Sequence, residues 1–129
     1  MALSKYTILV ANCIPTDMLL FKVLLKRAHC HLLTSTDGRD ALHQAEREHP
    51  DLILLDLYMP EMSGFEVSSA LAQQEETRHI PILYVVDMGE YPFFTPGGRM
   101  LTQEEYIEKP FRMQQLVKRI LQRLAGAEN

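Results

Sequence analysis

The sequence predicts an α/β fold, a doubly wound five-stranded parallel sheet with helices on both faces. Short apolar runs of strand length alternate with longer stretches of helical periodicity, an alternation that demands parallel pairing through right-handed crossovers. The central run, Leu52-Ile53-Leu54-Leu55, is continuously apolar, as a strand buried on both faces requires. It ends in Asp56, which places an acid at the carboxyl edge of the sheet, where open α/β folds set their ligand sites.

Each element has its own warrant. Residues 6–11 (YTILVA) give the first strand. Pro15 opens a helix reaching to about Ala28, with Asp17 in the first turn, where the helix dipole favours an acid. Leu20, Leu24 and Arg27 alternate with Phe21, Leu25 and Ala28 in a broad apolar stripe that ends in the basic pair Lys26-Arg27. Residues 31–35 (HLLTS) form a short outer strand, and Asp37-Gly38 makes a turn. Ala41, Leu42 and Ala45 line a narrower second helix, which stops before Pro50. After Asp56, Pro60 and Gly64 break the chain. A third helix then runs from Phe65 to about Gln74, with Phe65, Val67, Ala70 and Leu71 as core contacts. Residues 80–86 (IPILYVV) read as a strand with its proline near the start, where proline is tolerated.

The rhythm breaks over residues 87–102. Gly89, Pro92, Pro96, Gly97 and Gly98 stand among Tyr91, Phe93 and Phe94, so a regular fourth helix is not expected there. The rings either fold back over the sheet or offer anchors to a partner. Residues 105–109 resume as a strand. After Pro110, Met113, Leu116, Val117, Ile120, Leu121 and Leu124 keep the spacing of a helix packed on a sheet.

Composition narrows the function. The 129 residues suit a single unit spanning 1–129, with 47% hydrophobic residues and a formal charge of −4. A pI near 5.7 argues against a nucleic-acid surface. No apolar run approaches the roughly 20 residues of a membrane span. The opening MALSKYTILVAN enters a strand directly, so a cytoplasmic location is expected. Cys13 and Cys30 flank the ends of the first helix, roughly 20 Å apart at 1.5 Å per residue, and read as free thiols.

Asp56-Leu57-Tyr58-Met59-Pro60-Glu61-Met62-Ser63-Gly64 resembles the D-x-x-M-P-x-M-x-G phosphoacceptor segment of response-regulator receiver domains. Tyr106-Ile107-Glu108-Lys109-Pro110-Phe111 resembles the family's Y-x-x-K-P-F segment, in order and about fifty residues on. The resemblance covers the whole chain. It implies the flavodoxin-like strand order 2-1-3-4-5, with Asp56 as phosphoacceptor, Lys109 as phosphate contact and Tyr106 as the aromatic switch position. It also implies a cis bond between Lys109 and Pro110.

The match is incomplete in a way that bears on chemistry. Ile8-Leu9-Val10-Ala11-Asn12-Cys13-Ile14-Pro15 aligns with the family's I-L-V-V-D-D-x-P, so Asn12 and Cys13 replace the acidic pair. The family's Thr or Ser switch position falls on Val86, which has no hydroxyl. Mg²⁺ prefers hard oxygen ligands, and Cys13 offers a soft sulfur. Asp56 is then the one family metal ligand retained, no cofactor is expected, and Mg²⁺ should bind weakly at best. Asp87 and Asp17 are the acids placed to compensate, unless Asp87 is a plain loop carboxylate. Tyr58 either overhangs the pocket or lies on the surface. Cys13 is either an inert thiol or a redox sensor at a helix N-terminus.

Three functions compete. The first is an atypical receiver that is not an enzyme and works mainly through protein–protein contacts. The second is a conventional phosphorelay receiver, phosphorylated on Asp56 by a histidine kinase. The third, a flavodoxin-like cofactor binder, lacks the required phosphate loop, because ANCIPTD offers no glycine-rich nest. The expected partners are a histidine kinase or another signalling protein, with a second copy of this chain as a further candidate.

Overall fold

The computed structural model describes residues 3–89 and 93–128, and in it every expected apolar run pairs into one sheet. The elements run β1 (Thr7–Ala11), α1 (Pro15–Arg27), β2 (His31–Ser35), α2 (Gly38–Glu48), β3 (Leu52–Asp56), α3 (Gly64–Ala72), β4 (Ile82–Asp87), β5 (Tyr106–Lys109) and α4 (Met113–Glu128). The strands are all parallel in the order β2-β1-β3-β4-β5, as the resemblance implied. No described helix is long and apolar enough to cross a membrane.

The strand runs are apolar throughout because both sheet faces are covered. Ile8, Val10, Leu52, Leu54, Leu83, Val85 and Ile107 pack under α1 and α4, against Phe21, Leu25, Leu116 and Ile120. The alternate residues Leu9, Ala11, Ile53, Leu55, Tyr84, Val86 and Tyr106 pack under α2 and α3, against Ala41, Ala45, Val67 and Leu71. Burying a side chain such as Phe21, 1% exposed, stabilises by about 1.5–3 kcal/mol.

Several expectations need correction. Only Met18, Phe21 and Leu25 of α1 are buried, while Leu20 is exposed, so the buried stripe is narrower than the sequence suggested. Asp37-Gly38 is not a free turn: Asp37 caps α2, its Oδ1 accepting from the Asp40 N–H at 2.7 Å. Ser63 and Glu66 form a capping box, so α3 starts at Gly64. It ends at Ala72, short of Gln74. Ile80 and Pro81 precede β4, because the Ile80 N–H closes a turn onto the Thr77 carbonyl. Glu105 belongs to a 3-10 turn, Gln103–Glu105, rather than to β5.

Between β4 and β5 the described residues contain no helix but that single turn. Phe94 and Met100 bridge in a small antiparallel hairpin instead. Phe93 turns inward at 5% exposed, its ring 5.3 Å from that of Tyr106, and Phe94 turns outward at 55%. Tyr91 and Pro92 lie outside the described residues.

Two glycines hold the loop after β3 against the body of the fold. A Cβ on Gly64 would lie 2.3 Å from the Asp56 carbonyl oxygen, and one on Gly38 would lie 1.9 Å from that of Met62. Only glycine lets α2 and α3 approach that loop so closely. The loop is thereby fixed relative to Asp56.

Candidate functional site

Parallel register brings the sequence-predicted residues to one edge. Asp56 ends β3 level with Val85 of β4, and Asp87 ends β4 level with Lys109 of β5. Asn12 and Cys13 leave β1 beside them, the Asn12 N–H bonding the Ser35 carbonyl of β2 at 3.0 Å.

Asp56 is 6% exposed, and its Oδ1 accepts from the Tyr58 N–H at 3.2 Å. Burial pushes its carboxyl above the usual range, while the Tyr58 N–H and the charge of Lys109 pull it back. The Tyr58 side chain is 68% exposed to solvent.

Asn12 is 1% exposed and already committed on one side, its Oδ1 accepting from the Ile14 N–H at 2.8 Å. Its Nδ2 is buried with no hydrogen-bond partner among the described residues. Leaving such a donor unmet costs about 1–3 kcal/mol. The Cys13 thiol donates to the Tyr58 carbonyl at 3.5 Å, tying the end of β1 to the loop after β3.

Lys109 precedes Pro110 through a cis bond, as expected. Its Nζ donates to Asp17 Oδ2 at 2.6 Å and lies 3.3 Å from Asp87 Oδ1. Burial of Lys109 works against its charge, yet its two carboxylates hold its pKa above the ordinary lysine value. The two acids considered as replacements for the missing pair therefore both sit on the lysine. The sequence marks Asp17 as a dipole-favoured acid and as a possible compensating one, but nothing local signals a lysine partner 92 positions away.

Val86 and Tyr106, the expected switch positions, are 3% and 5% exposed and share the core beneath α2 and α3. A second ionic cluster lies beyond them and was not anticipated. Arg99 grips Glu105 with two hydrogen bonds, of 2.8 and 2.9 Å, and Glu105 also accepts from Thr102. The Arg99 guanidinium holds the Glu105 carboxyl down at about 2.

Comparison with known proteins shows the family and the fold. The response regulator receiver domain family matches residues 8–121. The polar-differentiation response regulator DivK of Brucella ovis is 35% identical over 114 residues, covering 86% of this chain and 89% of its own. The receiver domain of a Pseudomonas aeruginosa sensor histidine kinase, solved with a magnesium ion coordinated in its active-site cleft, superposes with a TM-score of 0.79. It is 27% identical, covering 94% of this chain and 98% of that one. Chemotaxis protein CheY4 of Vibrio cholerae gives a TM-score of 0.74 at 25% identity, covering 92% and 98%.

Proposed function

Because this chain belongs to the response regulator receiver family, we propose that it is an atypical receiver that signals chiefly through protein–protein contacts, with metal-assisted phosphorylation of Asp56 weakened or lost. Receivers of this family serve two-component signalling, where they meet histidine kinases and other signalling proteins. Residues 1–129 are read as one such unit, with no catalysis of its own beyond accepting a phosphoryl group.

The observation that carries the reading is the engagement of Lys109 by Asp17 and Asp87 at 2.6 and 3.3 Å. The acids near the sheet edge engage the lysine, and their charges also join burial in raising the Asp56 carboxyl. What stands at the positions of the family's acidic pair is an amide whose oxygen is taken by the Ile14 N–H and a thiol. Mg²⁺ requires hard oxygens in octahedral array, and this donor set does not fit it. A phosphoryl dianion approaching Asp56 then meets one lysine whose charge is already compensated twice. Val86 offers no hydroxyl to follow a phosphoryl group, and Tyr106 is packed under Phe93.

Contact surfaces are available beside the same edge. Ile14, Leu19, Leu20 and Val23 are each at least 41% exposed along α1, far more apolar surface than one helix needs to show.

A second reading keeps Asp56 as a working phosphoacceptor for a histidine kinase, and it is favoured by the shared edge of Asp56, Lys109 and Asp87. Incubation with a small phosphodonor and Mg²⁺, read by intact mass, separates the two. The proposed function predicts an unchanged mass. A shift by one phosphoryl group, lost in Asp56→Asn, supports the second reading.

A further inference from the structure

Each crossover in this fold lays a helix over the sheet except the one joining β4 to β5, whose described residues form only a hairpin and a 3-10 turn. Phe93 and Leu101 cover part of the face so left. Beside them a groove of about 780 Å³ stays open between α3, the 95–99 turn and the end of α4. Its floor is Phe65, Ile82 and Tyr84, with Phe65 and Tyr84 rings 5.2 Å apart and Tyr84 Oη donating to Ser68 at 2.7 Å. The groove opens near the start of β4, at the opposite end of that strand from Asp87 and the Asp56 edge.

Size and charge both select an occupant. A helix about 10 Å across displaces roughly 420 Å³ per turn of about 5.4 Å, so the groove matches about two turns. Among the described residues the lining carries Arg78, His79, Arg99 and Arg123, and its acid is Glu105. Arg99 and Glu105 neutralise each other, which leaves Arg78 and Arg123 as the net charge of the described lining. Arg123 is fixed at the rim by donating from Nε to the Ile82 carbonyl at 3.1 Å. Arg78 and His79 flank the other wall, on a chain whose formal charge is −4. Glu75 and Glu76 stand in the preceding turn but do not line the groove. A basic rim around an aromatic floor fits an apolar helix face edged with carboxylates.

We infer that this groove receives an acidic amphipathic helix from another protein, docked on the sheet face that the described residues of the β4–β5 connection leave uncovered. A second copy of this chain does not supply that helix. Its α1 carries Lys22, Lys26 and Arg27, its α4 carries Lys118, Arg119 and Arg123, α2 mixes both signs, and α3 has Glu66 alone. The inference deepens the reading of this chain as a contact module by naming the chemistry of a partner.

A displayed library of helical peptides of about 14 residues, unbiased in charge, provides the test on the full chain. The expected binders carry Glu or Asp on both flanks of an apolar i, i+3, i+4, i+7 row. They lose roughly tenfold or more in affinity against Arg78→Glu and, separately, Ala72→Glu. Both positions are exposed, so circular dichroism should match the unmodified chain. Selection of basic or neutral helices, equal binding by both variants, or no binder at all would overturn the inference. Asp56→Asn should bind the selected peptides unchanged. Peptide binding by a chain that also takes up phosphate would sink the proposed function alone, and failure of both assays would sink the groove alone.

Discussion

Lys109 Nζ donates to Asp17 Oδ2 at 2.6 Å, joining the first turn of α1 to the end of β5 at the edge that carries Asp56. The side chains are 18% and 23% exposed, so the pair is shielded well beyond a surface ion pair. Asp17→Asn should cost about 1–2 kcal/mol, between the values for exposed and buried pairs. Urea unfolding measures it, and a change below about 0.3 kcal/mol would mean that Asp87 suffices to hold the lysine.

The glycines that seat the loop after β3 should resist substitution for steric reasons. Gly64→Ala drives a methyl to 2.3 Å from the Asp56 carbonyl oxygen, and Gly38→Ala drives one to 1.9 Å from that of Met62. Each should destabilise by about 2–4 kcal/mol, because backbone has to move in response. Gly97→Ala, with its nearest neighbour 3.9 Å away, is the control and should change the same unfolding midpoint little.

Neighbouring phenylalanines should behave oppositely. Phe93→Ala removes a 5%-exposed ring packed on Tyr106 and should cost about 3 kcal/mol. Phe94→Ala trims a side chain that is 55% exposed and should stay within about 0.5 kcal/mol. Equal costs would mean that the inward and outward assignments of the two rings are wrong.

Acid should unfold the chain partly through Glu105. Its folded pKa of about 2 lies below the ordinary 4.5, chiefly because of the Arg99 hydrogen bonds. A depressed carboxyl contributes fully above its unfolded value, and the contribution fades as pH falls from about 4.5 towards about 2. Asp56 has the opposite sign. Burial raises its pKa, so its penalty belongs to the ionised form and is relieved as pH falls. Unfolding midpoints of Arg99→Leu should therefore fall less steeply than those of the unmodified chain across that window. Parallel curves would remove Glu105 from the acid response.

Much of this architecture was legible because parallel strands buried on both faces must be apolar at every position, as in Leu52 to Leu55. Gly64 was legible locally as a break before the third helix, whereas the cis bond between Lys109 and Pro110 was legible only through the resemblance. Hairpin folding of residues 93–101 was half legible. The glycines and prolines excluded a helix, but which phenylalanine turns inward depends on Tyr106, thirteen positions from Phe93. Exposure of Leu19, Leu20 and Val23 could not be read at all, because a helix that is apolar nearly all round does not reveal which side meets the sheet. The partner of Asp17 was hidden for a similar reason, as the ion pair exists only once β5 lies across from α1.

The central claim is that the residues beside Asp56 no longer make a Mg²⁺ site, and calorimetric Mg²⁺ titration tests it most directly. The unmodified chain should give no saturable heat at millimolar Mg²⁺, because Asn12 Oδ1 is engaged, Cys13 is soft and Asp87 and Asp17 are held by Lys109. The double substitution Asn12→Asp with Cys13→Asp should bring binding back. Tight Mg²⁺ binding by the unmodified chain would contradict the account and assign Asp87 or Asp17 to the metal instead of to Lys109.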